Sequence, residues 1–297
     1  GANFTISNLS IDNASDVGVG LFGDATGIEV ANLQLADVSV TGDDNQGGHG
    51  TGGLVGDGNG DFSRIKISGH VSGDIFSGGV IGIATDTATM SNMTGEGYVS
   101  CTRCSTGAGG TGGLIGRIPG HDVSMNYVRF SGNVSGEKVA GGIIGEADGL
   151  TNTPVTITNG RVDGHVAGAG QRVGGVIGLA NGARITGVRA NVSITGDMRV
   201  GGFVGTVDET GVQIERSSGE FSRIESTGTG DTAGVGGFVG DQESSSDDIR
   251  IFNSYIVATE LIVSDSDKTT HPYIGLVEGS GSIAINESFA VVDFRNG

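Results

Sequence analysis

Apolar residues along this chain recur at a spacing of two. Ile65 and Ile67 precede Val71; Val155 and Ile157 precede Val162 and Val166; Ile185 precedes Val188, Val192 and Ile194. Such alternation is the period of a strand with one buried face, and no run with the i, i+3, i+4, i+7 spacing of a helix extends beyond a turn. Each alternating run leads into a glycine-rich hexapeptide carrying two adjacent apolar residues: TGGLVG at 51, SGGVIG at 77, TGGLIG at 111, AGGIIG at 140, VGGVIG at 173 and VGGFVG at 200 and 235. The glycines before the apolar pair are Gly20, Gly53, Gly79, Gly113, Gly142, Gly175, Gly202, Gly237 and Gly275, separated by 26 to 38 residues. A period of this size marks a solenoid, and it is too short for propeller blades of about 40 to 45 residues.

Three short strands per unit, punctuated by Gly, Asn and Asp turns, predict an all-β fold: a single parallel β-helix of about nine coils. One domain covers 1–297, with repeat units over about 17–279 and terminal strands at 1–16 and 280–297. The double glycines are expected to supply positive φ where each coil bends and to let the coils stack closely at that corner. A phosphate-cradling loop is a poor fit, because no copy is followed by Lys and Ser/Thr at the head of a helix.

Neighbouring residues on a flat strand face opposite ways, so the paired apolar positions allow two readings. Either the glycines bend the chain and turn both side chains inward, or one stack points outward. The second reading makes Leu54, Leu114, Ile143, Val176, Phe203 and Phe238 an interface through which rods self-associate into filaments. Neither end of the sequence reads as a helical cap, so flanking regions or end-to-end stacking are expected to cover the terminal strand edges.

The cores GLVG, GLIG and GGFVG, each preceded by steps such as GHVSG, GNVSG and GHVAG, resemble the GLUG-motif repeats of surface proteins from about residue 17 to 279. That resemblance implies an extracellular or cell-surface, adhesin-like β-helix serving as a stalk or display region, with a glycan or cell-surface ligand as partner. In YIGLVEG the last unit departs from the pattern, placing Glu278 where a closing glycine is expected.

Composition sharpens this picture by exclusion. The formal charge of −18 arises from 22 Asp and 12 Glu against 13 Arg and 3 Lys. Such a chain repels nucleic acid and anionic membranes, and a lysine-poor, aspartate-rich surface suits salty water. No apolar run is long enough for membrane insertion. The 59 glycines and 3 prolines follow no Gly-X-Y period, which excludes collagen. Two cysteines, Cys101 and Cys104 in CTRC, are read as a local disulfide, with free thiols or redox or metal chemistry as the alternatives. Asn3, Asn8, Asn13, Asn92, Asn133, Asn191 and Asn286 stand in N-glycosylation sequons.

Candidate chemistry is sparse. Length variation concentrates before the double glycines, which places Asp43, Asp44, His49, Cys101, Cys104, Asp231, Asp265, Asp267 and His271 along one edge of the rod. In DGNGD, Asp57, Asn59 and Asp61 set oxygens at alternate positions as a calcium loop does, without its later glycine and glutamate. No other cofactor is suggested. A β-helix can carry polysaccharide-cleaving chemistry, but the absence of Trp and the presence of only 4 Tyr and 3 Lys give sugars few platforms. The expected function is therefore a non-catalytic structural or adhesive rod, with a glycan-binding or polysaccharide-degrading β-helix as the alternative.

Overall fold

The computed structural model describes residues 4–13, 17–43, 48–101, 109–149, 154–228, 234–243, 248–264, 270–278 and 281–296. Among them are thirty strands and no helix, wound as a parallel β-solenoid of about eight turns. The three expected strands of a coil are clearest where turns separate them, as in Ile177–Asn181, Ala183–Thr186 and Arg189–Gly196. In earlier coils they run together as Phe22–Gly42, Val55–Gly73 and Ile81–Cys101. Each coil adds a fourth strand of two or three residues. The eight of these, Gly50–Gly52, Phe76–Gly78, Gly110–Gly112, Val139–Gly141, Arg172–Gly174, Arg199–Gly201, Gly234–Gly236 and Thr270–His271, form their own sheet. To that sheet the unit at Gly20 contributes only the isolated bridge Val19 to Thr51, while its long strand Phe22–Gly42 pairs with Val55–Gly73, and the turn count stays close to the nine coils expected.

Pairing from coil to coil stacks like on like. One interior column reads Val40, Val71, Val99, Val134, Val166, Ile194, Ile224 and Leu261, every member buried. β-Branched side chains suit a pleated surface of this kind, and stacking them removes apolar area from water in every coil. Farther along, Phe203, Phe238 and Tyr273 stack face to face at 5.5 and 5.8 Å.

From Leu54–Val55 to Phe238–Val239 both residues of the apolar pair are buried, whereas Phe22 of the first unit is 40% exposed. The ladder of Leu54, Leu114, Ile143, Val176, Phe203 and Phe238 has no exposed surface, so the interface reading falls: these side chains fill the chain's own core. The backbone shows how. The amides of Leu54 and Val55 both donate to the carbonyl of Val80, and the same double donation recurs in seven successive coils as far as Phe238 and Val239 onto Tyr273. Two consecutive amides converging on one oxygen means the strand has turned, and the usual alternation is broken there.

The glycines at this bend are required for close approach and not for positive φ. None of them adopts a left-handed conformation. A Cβ on Gly52, Gly78, Gly112, Gly141, Gly174, Gly201 or Gly236 would lie 1.7 to 2.0 Å from the carbonyl oxygen three residues on. Left-handed backbone occurs instead at another corner, where Asn32, Arg64, Asn92, Tyr127, Asn159, Arg216, Asn253 and Glu287 have φ between 48 and 58° and Gly187 has 65°. Asparagine tolerates this region better than other residues with a Cβ, which explains its recurrence.

The last unit is in a different register from the one its glycine suggests. Val239 pairs with Ile274 and Asp241 with Leu276. Tyr273-Ile274-Gly275 therefore matches Phe238-Val239-Gly240, and Pro272 occupies the second-glycine position. Glu278 is not a failed closing glycine.

Candidate functional site

Immediately after the closing glycine of each hexapeptide one residue faces the short-strand sheet. Stacked by register, this position reads Asp24, Asp57, Ile83, Arg117, Glu146, Leu179, Thr206, Asp241 and Leu276. Opposite it stand the first residues of the short strands, among them Gly50, Phe76, Val139, Arg172 and Arg199. The closing glycine lets the two layers meet: a Cβ on Gly56, Gly82, Gly145 or Gly205 would strike short-strand backbone at 2.2 to 2.6 Å. Charged residues are thereby pressed into a narrow, largely buried seam beside the core.

Three clusters occupy the seam. At the first, His49 Nδ1 lies 2.6 Å from Asp57 Oδ2, while the Gly50 amide donates to Asp57 Oδ1 at 2.7 Å. In the middle, the Arg117 guanidinium sits 5.0 Å over the Phe76 ring, and its Nε lies 3.3 Å from Glu146 Oε1. At the third, Arg199 reaches Asp241 Oδ2 through Nε at 2.9 Å, Glu243 Oε2 through Nη1 at 3.0 Å and Glu278 Oε2 through Nη2 at 3.6 Å. Arg172 holds Glu243 from the coil before at 2.9 Å.

Burial governs the electrostatics. Asp241 has no exposed surface, and desolvation pushes its pKa up to about 7 against the pull of Arg199, with Glu278 and Glu243 adding to the rise. Burial also works to raise Glu243, but Arg172 and Arg199 outweigh it and hold that carboxyl below its ordinary value. Glu146 is raised by burial despite Arg117. The arginines are thus committed to carboxylates on neighbouring coils, so the seam's chemistry is cross-linking between coils.

The three residues expected to ligate calcium in DGNGD are each engaged with a different partner. Residues 57 to 61 lie within the strand Val55–Gly73, and the three side chains serve different neighbours. Asp57 engages His49 and Gly50; Asn59 accepts from the Gly27 amide at 2.5 Å in the coil before; Asp61 accepts from Thr89 in the coil after. Alternate oxygens on a strand do not converge as they do on a loop.

The insertions themselves lie largely outside the described residues, and the strands that follow them, Gly50–Gly52, Gly110–Gly112, Gly234–Gly236 and Thr270–His271, belong to the one short-strand sheet. Of the residues expected there, Asp44, Cys104, Asp231, Asp265 and Asp267 lie outside the described residues, as does Asn3. Cys101 is disulfide-bonded, and Cys104 is the other cysteine of the sequence. His271 Nδ1 accepts from the Tyr273 amide at 3.2 Å. Asn8, Asn92, Asn133, Asn191 and Asn286 are exposed and Asn13 is half-buried. Shallow clefts on the outer faces carry one carboxylate (Asp248), two (Asp163 and Glu220) or none.

The arginine seam escaped the sequence reading because its partners lie in different coils. Reading down the residue after each closing glycine would have exposed it, since charged residues alternate there with Ile and Leu. No family model and no solved structure matches the chain. Among curated proteins it is similar to halomucin of Haloquadratum walsbyi, with 35% identity over 140 residues, which is 45% of this chain and 1% of that protein. The chain therefore matches only about one hundredth of that relative's length.

Proposed function

We propose that this chain is a non-catalytic structural rod of the cell surface or extracellular space, acting through length, stiffness and an acidic, hydrated exterior. The observation that carries it is the continuous solenoid, whose seam arginines are already engaged with carboxylates of adjacent coils. The similarity to a protein named halomucin supports the same reading, as do the −18 charge and the five exposed sequon asparagines. The GLUG-type motif points to a display or adhesive role, in which a glycan or cell-surface ligand would meet the insertion edge.

Immunogold labelling of intact source cells with antibody to the chain tests the location, with label expected on the exterior. Label confined to the cytoplasm overturns the proposal. The same purified chain, incubated with acidic and neutral polysaccharides, is expected to leave their length unchanged; depolymerisation that follows the protein through purification overturns the non-catalytic part.

A further inference from the structure

The seam balances its charge at two clusters with arginine and at the remaining one without it. Glu146 is faced by Arg117, and Asp241 by Arg199. Asp24 and Asp57 are register partners on successive coils, the one place where two carboxylates stack directly on this ladder, and the next rung is Ile83. Each carboxylate is fixed by its own bend, the Gly18 amide donating to Asp24 Oδ1 at 3.1 Å and the Gly50 amide to Asp57 Oδ1 at 2.7 Å. Like charges held one strand spacing apart, about 4.8 Å, repel unless a cation stands between them. Asp24 is accordingly among the groups that raise Asp57, after burial itself.

The third group at this place is an imidazole. His49 sits at the entry to Gly50–Gly52, and donor atoms of Asp24, His49 and Asp57 all lie within 4.8 Å of one another. One imidazole nitrogen and two carboxylate oxygens suit a first-row divalent ion, whereas calcium takes six to eight oxygens. We propose that Asp24, His49 and Asp57 bind a divalent metal ion of the zinc class, which joins two successive coils where the other clusters use arginine. The site draws on Asp57 but neither Asn59 nor Asp61, and it needs residues from three separate stretches of sequence.

Calorimetric titration of Zn²⁺ into the chelator-treated 297-residue chain tests the site, alongside Asp24→Asn, His49→Gln and Asp61→Asn. One equivalent is expected to bind the parent chain and Asp61→Asn alike, with affinity at least tenfold weaker in Asp24→Asn and His49→Gln. Absence of saturable binding, or binding in Asp24→Asn equal to the parent, overturns the proposal. Thermal melts by circular dichroism keep folding separate: Asp24 is exposed, so Asp24→Asn should keep the metal-free midpoint and lose only the rise that Zn²⁺ gives the parent. Co²⁺ offers a reading free of any variant. Visible absorption saturating at one equivalent and displaced by Zn²⁺ is expected, and its absence overturns the site.

Discussion

A single added methyl group is the sharpest test of how the bend works. At Gly141 a Cβ would stand 1.9 Å from the carbonyl oxygen of Ile144, and that oxygen belongs to backbone locked by pairing on both sides. Gly141→Ala is therefore expected to cost about 3 kcal/mol or more, at the upper end for overpacking, read as a lowered urea midpoint. A loss below about 1 kcal/mol would mean that the coil can give way there. The repeated glycines were legible as a bend where coils stack closely, but positive φ was expected there as well, because both demands select the same residue. The left-handed corner was harder to read. Asn32, Asn92, Asn159 and Asn253 hint at it, yet Arg64, Tyr127, Arg216 and Glu287 fill the same place, and nothing local in a tyrosine announces φ of 54°.

Between coils, the unit of organisation is the column. Apolar columns were readable because alternation by two names the inward face of each strand, as with Val71, Val99 and Val134. The seam was not, since Arg199 meets Asp241 and Glu243 only after winding sets one coil on the next. Buried serines show the same limit: the Ser217 and Ser254 amides donate to the hydroxyls of Ser254 and Ser288 one coil on, at 3.1 and 3.2 Å. Each of those hydroxyls in turn reaches the carbonyl two residues back in its own chain. Titration of Asp241 gives the seam a measurable signature. Its folded pKa is raised from 3.8 to about 7, so the folded chain binds the extra proton in that window. Stability from this group is fully present below about pH 4 and is lost as pH rises through about 7. Asp241→Asn stays neutral throughout, so its unfolding midpoint should gain on the parent's as pH rises from about 4 to 7. A difference that stays flat across that range would show that Asp241 is ionised in the fold.

The whole molecule was the most legible level of all, because a solenoid states its plan once per coil. About eight turns at roughly 4.8 Å give a core some 40 Å long. The pairing that builds it sets every strand across the rod, so the hydrogen bonds between coils lie along its length. At seven successive bends one oxygen receives two amides from the neighbouring coil, at 2.9 to 3.1 Å. A pull on the two ends therefore loads one junction between coils after another, instead of sliding strands past each other. Single-molecule stretching should show a sawtooth in which each event releases one repeat of 26 to 38 residues, about 90 to 130 Å of extended chain. One rupture releasing the full length would show the coils yielding together. Under load, the carbonyl that gathers two amides is a catch on a row of links, and the rod yields by paying out length while the coils behind it stay wound.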